Sequence, residues 1–154
     1  MKSAKHELGQ RIEHFKQECS KAGVRLTHQR LEVFREIAEA CDHPDASTVH
    51  KRLRKTMPTI SLDTVYRTLW LLDDLGLIST LGPTRERTRF DANLDCHHHF
   101  VCSRCGMTRD FSSEEFDDLD PPPSVKTFGR IEMTRVEVNG LCRNCIAENA
   151  KPER

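Results

Sequence analysis

Two pairs of cysteines, each pair separated by two residues, restrict the fold more than any other feature of the sequence. Cys102 and Cys105 form the first pair, Cys142 and Cys145 form the second, and 36 residues lie between the pairs. Four thiolates complete the tetrahedral coordination of a zinc ion and leave no position open for water, which is typical of a structural site. The pattern therefore predicts a small C-terminal domain whose fold depends on Zn(II) held by these four cysteines.

The number and pairing of the cysteines indicate a reducing compartment. Seven cysteines are an odd number, and paired cysteines in a reducing compartment are typical of metal binding rather than disulfides. No apolar run approaches the roughly 18 residues of a membrane span. We expect a cytoplasmic protein without a membrane partner. Cys19 and Cys41 are expected to be ordinary semi-buried thiols, and Cys96 is left open as a redox thiol or a metal ligand.

A second cluster of metal-binding side chains precedes the first cysteine pair. His97 and His99 are two residues apart, so an extended strand places both imidazoles on one face. Asp91 and Asp110 flank them and can bring two carboxylates to the same place. Nitrogen and oxygen ligands without thiolate suit iron, manganese or zinc, and added carboxylates favour the first two. The sequence thus predicts a structural metal beside a second, sensed metal.

Two other interpretations of this cluster stay open. Asp91 could pair with a neighbouring arginine such as Arg89 instead of binding metal. Strand alternation points His98 away from its two neighbours, and we expect it to face solvent.

Hydrophobic periodicity predicts four helices in the N-terminal half. The first covers residues 5–20, and the next three follow the predicted caps Thr27, Asp45 and Ser61. Up to Asp91 the chain has 16 basic and 13 acidic residues, against 8 and 11 afterwards. The slightly basic half is the better candidate for binding a polyanion.

After the fourth helix, Leu77–Leu81 and Arg85–Phe90 are predicted to form two strands around a turn. Short helices followed by a hairpin are typical of the winged helix-turn-helix. The fourth helix would then enter the major groove of double-stranded DNA, and the arginines of the hairpin would lie along phosphates. A solvated hairpin without DNA binding is the alternative.

The C-terminal half predicts a small three-stranded sheet with one or two helices. Its expected strands are His99–Cys102, Met107–Phe111 and Ile131–Val138, and its expected helix is Glu114–Leu119. Pro121–Pro123 indicates a loop.

Five motifs together make the chain similar to the ferric uptake regulator family, over nearly its whole length. They are Arg25-Leu26-Thr27-His28-Gln29-Arg30, His43-Pro44, Ser61-Leu62-Asp63-Thr64-Val65-Tyr66-Arg67, the His97–Cys105 block and the Cys142–Cys145 pair. The resemblance implies an α+β homodimeric, metal-activated transcription repressor. Its DNA-binding domain would cover residues 1–91 with the hinge, and its small α/β dimerisation and metal-binding domain residues 92–154.

The resemblance also implies which residues act. Within the family the chain looks most like the peroxide-sensing branch, whose regulatory Fe(II) or Mn(II) site corresponds to His43, Asp91, His97, His99 and Asp110. Iron-sensing relatives usually carry glutamate in place of both aspartates. Metal-catalysed oxidation of His43 or His97 would release the metal and the DNA, an A/T-rich inverted repeat. The expected DNA contacts are Arg25, Thr64, Tyr66, Arg67, Arg85 and Arg87.

Other functions were weighed against this one. An iron- or zinc-level sensor of the same family is the main alternative, because Thr64-Val65-Tyr66-Arg67 is closer to the iron-sensing recognition helix. A further family site would fall at Cys96, His98, Asp117 and Thr134, but threonine is a poor ligand. A small metallohydrolase is disfavoured, since five protein ligands leave little room for a substrate and no general base is recognisable. We therefore expect no enzymatic activity and no small organic substrate.

Overall fold

The computed structural model describes residues 4–82 and 88–149. The chain divides into two compact units, Met1–Leu94 and Asp95–Arg154. The first is mainly helical and ends in a two-stranded hairpin, whereas the second is built around a three-stranded sheet. The predicted α+β class is confirmed. Within the described residues, every helix is too short or too polar to cross a lipid bilayer.

Within the described residues of the first unit there are four helices, and three of them begin at the predicted caps. The side chains of Thr27, Asp45 and Ser61 each accept a hydrogen bond from the amide three residues further on, at 3.3, 2.8 and 3.1 Å. Each cap satisfies one of the amides that a helix start leaves without an intrahelical acceptor. The helices are α1 (Ala4–Lys21), α2 (His28–Glu39), α3 (Ala46–Leu53) and α4 (Leu62–Asp74).

The core of the first unit is formed by the apolar stripes that predicted these helices. The rings of Phe15 and Phe34 stack at a centroid distance of 4.8 Å and join α1 to α2. Cys19 lies in the same core, as expected for a semi-buried thiol, whereas Cys41 is exposed. Other buried members are Val33, Ile37, Val49, Leu53, Ile60, Val65, Leu69, Leu72, Leu77 and Phe90.

A hairpin of strands β1 (Ser79–Leu81) and β2 (Arg89–Asp91) closes the first unit. The strands are antiparallel, with Ser79 opposite Asp91 and Leu81 opposite Arg89. The hairpin agrees with the predicted wing, although its strands are shorter than expected. Residues 83–87, including the predicted DNA contacts Arg85 and Arg87, lie outside the described residues.

The second unit has a sheet in the order β4-β3-β5. Strand β3 (His98–Cys102) pairs antiparallel with β4 (Thr108–Phe111) and parallel with β5 (Glu137–Gly140). Up to Asn149, where the description of this unit ends, it also has three short helices: α5 (Glu114–Asp117), α6 (Pro123–Lys126) and α7 (Arg143–Asn149).

The third strand of this sheet was predicted in the wrong place. Ile131–Val138 alternates in hydrophobicity, but residues 131–136 form no regular strand and β5 begins at Glu137. Ile131 and Met133 are 37% and 50% exposed, so the alternation does not mark a side of the sheet buried within this unit. Pro123 also begins helix α6 where only a loop was predicted, because proline is well tolerated in the first helical turn.

Candidate metal centres and DNA-contact helix

The four paired cysteines come together at one end of the second sheet. Cys102 ends β3, the following turn brings Cys105 back, and Cys142 and Cys145 lie at the start of α7. The Cys102 and Cys145 sulfurs are 3.8 Å apart, and those of Cys105 and Cys142 are 3.7 Å apart. Tetrahedral zinc with bonds of about 2.3 Å requires sulfur separations of about 3.8 Å. The geometry and the all-thiolate donor set therefore fit zinc.

The surroundings of these sulfurs favour unequal protonation when no cation is present. Backbone amides of the two cysteine turns donate to the Cys102 sulfur and lower the pKa of its thiol to about 6. Burial, followed by the neighbouring sulfurs, raises the pKa of the Cys145 thiol to about 12. Four thiolates can be charged together in this small space only beside a cation, because their mutual repulsion is otherwise too large.

Arg104 lies between the first two cysteines and holds the second pair in place. Its guanidinium donates to the carbonyl oxygen of Cys145 at 3.2 Å and to the amide oxygen of Asn149 at 2.6 Å. A cation near the last carbonyls of α7 also complements the helix dipole. This contact joins residues far apart in sequence, so no local pattern predicted it.

In the first unit, His43 and Asp91 form one group of predicted ligands. His43 lies in the loop between α2 and α3, and its Nδ1 atom is 3.7 Å from Oδ1 of Asp91 at the end of β2. Both side chains are buried, with 2% and 4% exposed. An imidazole nitrogen and a carboxylate oxygen this close together are ligand types that iron, manganese and zinc accept.

Arg89 contacts the backbone of the loop that carries His43. Its guanidinium donates to the backbone carbonyl oxygens of Asp42 and His43, at 3.2 and 3.3 Å. The arginine considered as a competing partner for Asp91 thus contributes to holding the His43 loop.

In the second unit, His97, His99 and Asp110 form the other group of predicted ligands. The Nε2 atoms of His97 and His99 lie 3.6 and 3.4 Å from Oδ1 of Asp110. Asp110 is the cross-strand partner of His99, and the two imidazole centroids are 4.6 Å apart. The i, i+2 spacing therefore brings both rings to one carboxylate.

The hydrogen bond of His97 indicates which of its two ring nitrogens could bind a metal ion. Its Nδ1 lies 2.7 Å from the carbonyl oxygen of Asp95. A carbonyl oxygen can only accept, so Nδ1 carries the proton and the Nε2 lone pair points toward the Asp110 side. Fixing the tautomer through the second nitrogen is the usual support for a ligating histidine.

His98 was expected to face solvent, and this prediction is wrong. It points to the opposite side of the sheet, as strand alternation requires, but its side chain is fully buried. The rings of Phe111 and Phe116 lie 5.6 and 5.4 Å from its own, because helix α5 covers this side of β3. The tendency of an exposed sheet side to be polar misled the prediction, since the covering helix is distant in sequence.

His98 also belongs to a hydrogen-bonded cluster with Cys96 and Asp117. Nδ1 of His98 accepts from the Val136 amide at 3.2 Å, and Nε2 lies 3.0 Å from Asp117. The Cys96 thiol donates to the same carboxylate at 3.2 Å, and this bond raises the pKa of the thiol. Both ring nitrogens of His98 and the Cys96 thiol therefore have hydrogen-bond partners within this cluster.

The exposed surface of α4 carries the predicted base contacts. Nε of Arg67 pairs with Oδ2 of Asp63 at 2.9 Å, and the Arg67 side chain is 81% exposed. Thr64 is half-buried beside Ser61, and Tyr66 is half-buried against the core. A helix with these side chains at its exposed surface is suited to entering a major groove.

Other polar side chains of the first unit differ in their exposure to solvent. Thr68 of α4 is buried, whereas Arg25, a predicted DNA contact, is exposed. His50 is half-buried, and its Nε2 donates to the Ile60 carbonyl oxygen at 3.0 Å. That contact links α3 to the residue before the Ser61 cap, and only a three-dimensional structure could reveal it.

Comparison with known proteins identifies the family. A sequence model of the ferric uptake regulator family matches residues 21–138. The peroxide-responsive repressor PerR of Staphylococcus epidermidis is 31% identical over 148 residues, which cover 96% of each chain. The chain therefore belongs to the ferric uptake regulator family, and it is a metalloregulatory transcription repressor.

Solved structures agree with this assignment. The Helicobacter pylori ferric uptake regulator Fur has a similar fold, with a TM-score of 0.73 at 22% identity over 90% of this chain and 93% of that chain. A zinc uptake regulator complexed with zinc and DNA gives a TM-score of 0.62 at 25% identity, covering 98% of this chain and 100% of that chain. The winged-helix DNA-binding domain and the small dimerisation domain are thus those of the family.

Proposed function

We propose that the protein is a peroxide-responsive repressor that binds DNA when Fe(II) or Mn(II) occupies a His/Asp site. The observation that carries the proposal is the pair of imidazole Nε2 atoms converging on the Asp110 carboxylate, with no thiolate among them. Ligands of this kind suit iron and manganese. The similarity to a relative named as a peroxide-responsive repressor supports the same function.

His43 and Asp91 complete the proposed ligand set. We propose that these two residues and the three from the second unit hold one ion. Residues 1–91 would act as the DNA-binding domain and residues 92–154 as the dimerisation and metal-binding domain. A metal that binds one mutual orientation of the domains shifts the population toward that orientation. If this orientation separates the recognition helices of a dimer by about 34–36 Å, successive half-sites can be bound.

The second unit supports the proposed homodimer. Strand β5 is at an edge of the sheet and presents Val138, which is 39% exposed. Phe128 and Ile146 are 86% and 54% exposed in the same unit. An open sheet edge and large exposed apolar side chains are each typical of a surface that pairs with another chain.

The proposed signal is oxidation at the metal site. Ferrous iron held by these residues would activate hydrogen peroxide, which is the two-electron oxidant: one peroxide oxygen would be added to an imidazole carbon, and the other would leave as water. His43 and His97 are the imidazoles proposed to gain an oxygen atom, and an oxidised imidazole is a poorer ligand. Loss of these ligands would free the domains and release an A/T-rich inverted repeat, contacted by Arg25, Thr64, Tyr66, Arg67 and the hairpin residues Arg85 and Arg87. Zn(II) at the four cysteines would keep the dimerisation domain folded throughout.

The test compares Fe(II)- and Mn(II)-loaded protein before and after dilute hydrogen peroxide. We expect only the iron form to lose DNA binding, together with a mass increase of about 16 Da, one oxygen atom, on the tryptic peptide of His43 or His97. An iron form that keeps its DNA affinity and unmodified peptides would instead identify an iron- or zinc-level sensor. That alternative is favoured by the recognition helix, whose Thr64-Val65-Tyr66-Arg67 resembles iron-sensing relatives.

A further inference from the structure

The loop that carries His43 has an unusual backbone. His43 has a φ of 47°, and it is the only described residue other than glycine with a positive φ. A histidine adopts this left-handed conformation only when surrounding contacts stabilise it, and such residues concentrate at functional sites. The contacts that stabilise this loop therefore decide how well His43 is placed to bind metal.

Arg52 from helix α3 makes the strongest of these contacts. Its two terminal nitrogens reach the two carboxylate oxygens of Asp42, Nη2 at 2.6 Å and Nη1 at 3.3 Å. Nη1 also donates to Glu36 of helix α2 at 3.3 Å. Arg52 thus connects the residue before His43 to two helices of the DNA-binding unit.

Most surface ion pairs contribute little, but this one differs in two ways. It is bidentate, and it joins three charged groups rather than two. A bidentate geometry and a network of charges are the conditions under which a partly exposed ion pair contributes to stability. The Arg52 side chain is only 34% exposed, so solvent screens it less than a fully exposed arginine.

From these contacts we infer that Arg52 is a positioning residue for the regulatory metal site and links His43 to helices α2 and α3. The inference rests on the proposed function, in which His43 is a ligand. Arg52 keeps Asp42 fixed, Arg89 fixes the Asp42 and His43 carbonyls, and the left-handed residue stays in its binding-competent position. Conversely, a displacement of His43 on metal binding is transmitted to helices α2 and α3 through Asp42, Arg52 and Glu36.

The expected effect is on metal affinity rather than on the metal-saturated state. If only about one molecule in ten keeps the loop in its binding-competent position, the apparent dissociation constant rises about tenfold. Saturating metal restores that position, so maximal DNA binding is kept. A purely structural role would lower thermal stability and maximal DNA binding together.

The experiment measures Mn(II) binding to zinc-loaded protein by the electron paramagnetic resonance signal of free Mn(II). Arg52→Gln and Asp42→Asn should each weaken binding about tenfold, and the double variant should be no worse than either single variant. Arg52→Lys keeps the charge but not the fork, so it should fall between the parent and Arg52→Gln. The matched control is Arg35→Gln, which breaks a partly exposed ion pair with Glu32 within α2, away from the His43 loop in sequence, and should bind like the parent.

A second measurement follows DNA binding to a duplex selected by the parent protein with Mn(II) from a random pool. Arg52→Gln should need about tenfold more Mn(II) for half-maximal binding but reach the parent maximum. The inference is overturned if Arg52→Gln and Asp42→Asn bind Mn(II) within twofold of the parent, or if Arg35→Gln loses as much. Should Arg52→Gln fail to fold, Asp42→Asn and Arg52→Lys decide the question alone. His43→Ala distinguishes a failure of the inference about Arg52 from a failure of the proposed function. An unchanged Mn(II) affinity of this variant would refute the proposed metal site itself.

Discussion

Replacing Arg67 by alanine tests the placement of the recognition helix with little disturbance of the fold. The Arg67 side chain is 81% exposed and pairs with Asp63 one helical turn earlier. Exposed pairs at this spacing stabilise a helix by about 0.3–0.5 kcal/mol, and alanine is a good helix former. Arg67→Ala should therefore change the free energy of unfolding by less than about 0.5 kcal/mol. In a domain of about 90 residues that shifts the melting temperature by at most about 4 °C.

The effect on DNA binding should be much larger. An arginine that pairs with guanine in the major groove discriminates against other bases by about 1–3 kcal/mol, which corresponds to about 5- to 150-fold in affinity. The loss should be confined to one base pair of each half-site. The salt dependence should hardly change, because a base contact releases few counterions. Arg87→Ala, at a predicted phosphate contact, should instead weaken all sequences and reduce the salt slope by about 1.

The assay is fluorescence anisotropy with Mn(II)-loaded protein against the selected duplex, its single-base variants and a random duplex, at several salt concentrations. Thermal melting of the same preparations provides the control for folding. If Arg67→Ala and Arg87→Ala lose specific and non-specific binding in equal measure, α4 does not read bases in the way described.

Three further predictions concern the metals. Cys102→Ser should give zinc-depleted, misfolded or monomeric protein, because structural zinc contributes an apparent ~10–16 kcal/mol in small zinc domains; a folded dimer without zinc by elemental analysis would contradict this. His43→Ala should keep zinc and fold but lose metal-stimulated DNA binding, measured by anisotropy with and without Mn(II), and equal affinities in the parent protein would count against the whole scheme. Asp110→Glu should keep metal-dependent binding but resist peroxide, since the longer carboxylate reaches the metal differently; retained sensitivity of the iron form would show that this aspartate does not set the response.

Features decided by local chemistry were predicted well from the sequence. The caps Thr27, Asp45 and Ser61 depend on hydrogen bonds spanning three residues, so the sequence contains all the information needed. The convergence of His97 and His99 follows equally from the period of a strand.

Features that depend on distant parts of the chain were not predicted. The burial of His98 depends on a helix that covers it from residues 114–117, and the start of β5 depends on pairing with β3. Arg52 and Asp42 are ten residues apart with a turn between them, and no periodic pattern marks such a pair. Tertiary contacts override local preference at these positions.

A strand with three consecutive histidines has an ambiguous register, because a shift of one residue would move every side chain to the opposite side of the sheet. After such a shift His98 would lie on the side of the sheet that His97 and His99 now occupy, so one imidazole would be there instead of two. The hydrogen bonds of His98 to Asp117 and the Val136 amide prevent this, since they fit a histidine on the covered side and at one position along the strand only. The central histidine therefore fixes the register of the strand, and with it which two of the three imidazoles face Asp110.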